Sequence, residues 1–208
     1  MIKRIGLVFM VCSGAVTALA QVPAHPQAAR AVTPVFSQLV SFSYPSDFVP
    51  AFEDSKPGAY IQESVLRGET LERWTQMLTL SGARDLVANA QMTPLRFAGS
   101  VAAGFQNACP QSYVALGLGE MRLGKHDAFA AVIGCGSAPG GAHSEVALLL
   151  VVKGERDYYT LQWAERAQPV NGSTALDAAK WSERLQRLMP VKLCTRVPGE
   201  APPYQSCL

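Results

Sequence analysis

Glu145-Val-Ala-Leu-Leu-Leu-Val-Val-Lys153, followed after Gly154-Glu-Arg-Asp157 by Tyr158-Tyr-Thr-Leu-Gln-Trp-Ala164, decides the fold class. The apolar stretch Val146 to Val152 is seven residues long, the length of a buried strand. A bilayer span would need about 20 apolar residues. The short polar connection predicts a hairpin between the two runs. Upstream, Tyr113 to Gly119 and Ala128 to Cys135 read as further strands. Neighbouring strands joined by short turns argue an antiparallel sheet, because parallel pairs require long crossovers.

Working outward, Thr93-Pro94 reads as an N-cap followed by proline at the first helical position. Leu95, Ala98, Val101, Ala102 and Phe105 then recur at three- and four-residue steps, predicting a helix that ends near Cys109-Pro110. Thr174 is expected to cap a second helix carrying Ala178, Trp181, Leu185 and Leu188 in one stripe. Nearer the N-terminus, Phe36 to Tyr44, Phe48 to Phe52, Tyr60 to Leu66 and Trp74 to Leu80 alternate as strands. Trp74 and Trp181 are expected in the core. The expected fold is α+β: a single, mainly antiparallel sheet with two amphipathic helices packed on it.

The ends of the chain set the domain plan. Lys3 and Arg4, the apolar run from Ile5, and Ala18-Leu19-Ala20 read as a signal peptide over residues 1–20, cleaved between Ala20 and Gln21. Ser13, Gly14 and Thr17 interrupt the run, against a membrane anchor, and Val11 before Cys12 is against a lipoprotein cysteine. Residues 21–34, with Pro23, Pro26 and Pro34, read as a flexible leader, and residues 35–208 as one α+β domain. The expected location is periplasmic or secreted.

Four cysteines remain in the expected mature chain: Cys109, Cys135, Cys194 and Cys207. Pro198, Gly199, Pro202 and Pro203 describe a helix-free tail that would fray unless fastened, favouring Cys194 with Cys207. That leaves Cys109 with Cys135. The intervening lengths of 25, 58 and 12 residues contain no C-x-x-C knuckle, which argues against zinc.

The whole chain has Lys+Arg 18 against Asp+Glu 16; without Lys3 and Arg4 the two signs balance. A neutral protein lacks the basic footprint that nucleic acid or an anionic membrane requires. The partner is therefore expected to be a protein or a small ligand, with no nucleic acid and no stable membrane anchor after cleavage. No cofactor is implied.

Gly68-Glu-Thr-Leu-Glu-Arg-Trp-Thr-Gln-Met, with Asp157-Tyr-Tyr-Thr-Leu-Gln-Trp-Ala-Glu-Arg downstream, resembles a family of small exported proteobacterial proteins of unassigned function. These share a Trp-Thr-x-Met strand, a mid-chain helix leading to cysteine, and a hairpin ending in Gln-x-Ala-x-Arg. The resemblance spans roughly Phe48 to Cys194. By order of elements alone the layout is also similar to the PsbP-type fold of photosystem accessory proteins and nuclear transport factors. The resemblance implies a binding or assembly-assisting module and carries no catalytic motif.

His126-Asp127 and His143-Ser-Glu145 are the places where imidazoles adjoin carboxylates. Both lie beside glycines at strand ends, where wet turn histidines are common, so binding or general-base roles there are secondary readings. A cysteine nucleophile would leave an odd partner in an even set. Gly134 to Gly141 is glycine-rich but lacks the lysine and following helix of a phosphate loop. The function expected is an exported, non-catalytic binding or envelope-accessory protein. The alternatives are a small hydrolase using His126 or His143 with a neighbouring carboxylate, and a secreted inhibitor or host-facing factor presenting the Gly134–Gly141 loop.

Overall fold

The structure, a computed structural model, describes residues 27–208. The expected signal peptide and the Ala20–Gln21 cleavage site lie outside the described residues.

Among the described residues, ten strands and two α-helices follow in chain order. The strands are β1 (Ala28–Val35), β2 (Gln38–Pro45), β3 (Phe48–Ser55), β4 (Ala59–Leu66) and β5 (Gln76–Ala83), then helix α1 (Pro94–Ala108). Next come β6 (Tyr113–Leu123), β7 (His126–Cys135), β8 (Ser144–Lys153) and β9 (Tyr158–Ala167), then α2 (Ala178–Leu188) and β10 (Lys192–Thr195). The pairings are antiparallel throughout, as the short turns require.

The single sheet expected from the sequence is two sheets. A 7-stranded sheet has the order β3-β4-β5-β9-β8-β7-β6, and a 3-stranded sheet has the order β1-β2-β10. The division arises at Pro45 to Phe48, where the chain leaves β2 and enters β3 in the other layer. The flexible leader expected over residues 21–34 is also corrected, since β1 occupies Ala28–Val35. Its alanines and Pro34 have little strand preference of their own, but register with β2 from Ala28↔Pro45 to Val35↔Gln38 supplies the order. Pro34 is tolerated because β1 is an edge.

Each face of the large sheet is covered differently. Leu148, Leu150, Leu161 and Trp163 point to the face covered by the small sheet and α2, where they meet Val40, Phe42, Trp181, Leu185 and Leu188. Ile133, Leu149, Val151 and Tyr158 point to the opposite face, which α1 covers with Ala98, Val101 and Phe105. Both faces of β8 are therefore buried, which explains its unbroken apolar run. Burying each large side chain contributes roughly 1.5–3 kcal/mol.

The helix caps are partly those expected. The Thr93 hydroxyl accepts from the Arg96 amide at 3.2 Å, with Pro94 at the first position. For α2 the cap is Asp177, whose carboxylate accepts from the Lys180 amide at 3.1 Å, rather than Thr174. Trp74 and Trp181 are both buried, in separate clusters on opposite faces of the large sheet.

Candidate functional site

The four cysteines pair as expected: Cys109 with Cys135 and Cys194 with Cys207, at Cα separations of 5.9 and 5.7 Å. The first ties the end of α1 to the end of β7; the second ties the C-terminal tail to β10. Two disulfides suit an oxidising compartment. Among the described residues no helix is long and apolar enough to cross a membrane.

The two candidate histidines lie at opposite ends of the β7–β8 pair. His126 opens β7, whereas His143 precedes β8 next to the Cys135↔Glu145 pairing. Nine residue steps along the ten-residue β7 separate those ends, about 30 Å at about 3.3 Å per step. His126 is buried, with Nδ1 donating to the Lys153 carbonyl at 3.0 Å and no partner for Nε2. His143 Nε2 lies 3.6 Å from a Glu145 oxygen, but Arg166 Nε donates to that oxygen at 3.2 Å. The Arg166 guanidinium in turn lies 3.6 Å from the centre of the Trp74 ring. Glu145 is thus held in an ionic and aromatic stack. Among the described residues no group of three or more His, Cys, Asp or Glu side chains is placed to hold a metal.

The Gly134–Gly141 loop is anchored at its base. The Gly136 amide donates to the Ser112 carbonyl at 3.0 Å and the Ser137 amide to the Ser112 hydroxyl at 3.1 Å. The Ala138 amide donates to the His143 carbonyl at 2.8 Å. Only the tip, Pro139 to Ala142, is fully exposed.

Among the described residues a partly open pocket lies between the two sheets. A cavity of 180 Å³ has a floor of Leu78, Leu80 and Leu161 from β5 and β9. Phe42 and Tyr44 from β2, with Leu188 from α2, form the opposing wall. Thr33, Gln62 and Ser64 supply polar groups, and Pro50 of β3, Ala31 and Val32 of β1, Thr79 of β5 and Gln162 of β9 also line it. No charged side chain is present there. Gln62 and Ser64 share the inward face of β4 with Tyr60 and Leu66, because strand side chains alternate. A cavity of about 150 Å³ with aliphatic walls can hold benzene, so this one has room for a single ring or a branched aliphatic group.

Two polar assemblies hold the walls of this cavity in place. Asp157 accepts from the Ser37 hydroxyl at 2.5 Å, the Asp85 amide at 2.8 Å, the Tyr159 hydroxyl at 3.2 Å and the Ser37 amide at 3.3 Å. Burial alone would raise its pKa; the hydrogen bonds reverse this and bring it below the ordinary carboxylate value. Burial also raises the Tyr159 hydroxyl, reinforced by the Asp157 charge. On the far side, Glu165 pairs with Lys180 and with Arg184, whose Nη2 lies 2.9 Å away. The guanidinium of Arg184 lies 4.5 Å from the Trp163 ring centre, so α2 is held to the sheet by charge and π contact together.

The cavity was not among the sequence candidates, although part of its signal is in the sequence. Polar Gln62 and Ser64 fall on the same strand face as Tyr60, so that face is not purely apolar. The wall from β1 and β2 gives no local signal, because it depends on a second layer.

The architecture is mostly β, two antiparallel sheets with one helix on each face of the larger, in place of the single-sheet α+β fold expected from the sequence. No protein-family model matches the chain, and no curated protein matches it in sequence. Among solved structures it is similar to the Ran-binding protein Mog1p of Saccharomyces cerevisiae. That likeness has 9% identity and a TM-score of 0.42, over 79% of this chain and 86% of that one. A mutant of Mog1 gives the same identity and TM-score, over 78% and 86%. A Bacteroides thetaiotaomicron protein is similar at 17% identity and a TM-score of 0.35, over 77% of this chain and 46% of that one.

Proposed function

We propose that this chain is an exported, non-catalytic binding or envelope-accessory protein, periplasmic or secreted, that takes an uncharged apolar group into the cavity between its two sheets. The observation that carries this reading is the cavity itself: an apolar floor and wall, a few polar groups, and no formal charge. Ligand sites typically combine apolar lining with a small number of placed polar groups. The two disulfides support the oxidising compartment that export supplies. The histidines support the binding reading over the hydrolase reading, because His126 and His143 stand at opposite strand ends and Glu145 is engaged by Arg166. The anchored base of the Gly134–Gly141 loop leaves only a short tip to present, which favours the cavity over the inhibitor reading.

Titration with benzyl alcohol, followed through the NMR methyl signals of Leu78, Leu80 and Leu161, tests the proposal. Saturable shifts confined to these methyls are expected, and Ser64→Leu, which fills the cavity, should abolish them with the fold unchanged. Shifts that fail to saturate, or saturate equally in the filled variant, would overturn it. N-terminal sequencing of the exported protein should begin at Gln21.

A further inference from the structure

The cavity adjoins a strand edge whose outward hydrogen-bonding groups have no backbone partner among the described residues. Among the described residues β1 has one neighbouring strand, β2. Val35 and Gln38 close a two-residue loop and therefore form a hydrogen-bonded pair. Alternation along the ladder makes Thr33 and Ala31 hydrogen-bonded positions too, and turns the N–H and C=O groups of Val32 and Arg30 away from β2. Pro34 occupies another outward position, where its missing N–H costs no ladder bond. Among the described residues no other backbone group engages Arg30 or Val32. Ala31 and Thr33, on the same short stretch, line the cavity.

We infer that the ligand is an extended peptide segment of another protein, which adds to β1 as a strand through Arg30 and Val32 and inserts one uncharged aromatic or branched aliphatic side chain into the cavity. The inference rests on the binding reading above and names its ligand class. A volume of 180 Å³ suits one side chain, whereas whole drug-sized ligands occupy roughly 300–1,000 Å³. The lining is neutral, so a charged side chain would be buried there without a partner. Strand addition provides affinity through the main chain and specificity through a pocket for a particular side chain.

Two alternatives fit less well. A second copy pairing through β1 would offer Ala-Ala-Arg-Ala-Val-Thr-Pro-Val, whose largest apolar side chain is valine, smaller than the benzene-sized group the cavity has room for. Pairing at β3, the nearby edge of the large sheet, is opposed by Pro50, by the irregularity between Pro50 and Phe52, and by the charges of Glu53 and Asp54.

The test compares a blocked threonine heptapeptide with a central phenylalanine against N-acetylphenylalaninamide. The peptide should bind at least about tenfold more tightly, since two or more net hydrogen bonds are gained. It should also slow amide hydrogen exchange at Arg30 and Val32. N-methylation of the peptide at the residues flanking its phenylalanine should remove that gain and bring its affinity down to that of N-acetylphenylalaninamide. Equal affinity for the two probes, or unaltered exchange at Arg30 and Val32, would overturn the peptide inference and leave the binding reading intact. Protection at those amides that rises with protein concentration alone would overturn it in favour of a second copy. If neither probe binds, the binding reading fails with it.

Discussion

At Asp157 one carboxylate accepts from Ser37, Asp85 and Tyr159, so the β1–β2, β5–α1 and β8–β9 connections meet on a single side chain. Hydrogen bonds to a charged group contribute about 1.5–3 kcal/mol each. Asp157→Asn is therefore expected to lower stability by about 2–4 kcal/mol in urea melts, the amide keeping only part of the set. Because the folded pKa is depressed, the carboxylate's contribution is present above the ordinary value of 3.8 and is lost as pH falls through the folded value. Acid titration of stability should show this loss in the parent chain and lack it in Asp157→Asn. Gly154 adjoins the same knot, where a Cβ would meet Gln38 Oε1 at 2.5 Å and the Tyr159 ring at 2.6 Å. Gly154→Ala should lower the urea midpoint, with overpacking costing roughly 1–3 kcal/mol. The role of Asp157 is invisible in sequence, because its partners lie 120 and 72 residues away.

Element by element, legibility follows how local the cause is. Thr93-Pro94 announces α1 because cap and proline act within one turn. β8 and β9 are announced by composition and a short connection, and the disulfide pairing by a tail unable to hold itself. β1 is illegible for the opposite reason, since its order comes from β2, not from its own residues. The cap of α2 is Asp177, three residues beyond the expected Thr174, because both residue types can cap and only the chain path chooses. For the tail, replacing Cys194 and Cys207 together by serine opens a loop of sequence separation 13 and should cost about 3 kcal/mol. Limited proteolysis followed by mass spectrometry should then cut between residues 196 and 204 before any other site. Cutting elsewhere first would show that the tail is held by packing alone.

For the whole molecule, the cavity exists only because two sheets face each other, and for that reason periodicity along single strands indicates its polar residues but not the space between them. A ligand that binds the folded chain alone stabilises all of it, by about 2.7 kcal/mol at a concentration 100 times Kd. Benzyl alcohol at such excess should raise the thermal midpoint of the parent chain and leave that of Ser64→Leu unmoved. β2 sits between β1 and β10, so strands from the two ends of the described chain flank one ribbon. Cys207 of the tail lies against the same ribbon, its sulfur 4.0 Å from the Leu39 carbonyl. A polypeptide emerging amino end first would therefore leave one side of β2 unpaired until β10 had been made, and a product cut short before Lys192 would carry β2 as a second open edge of the small sheet.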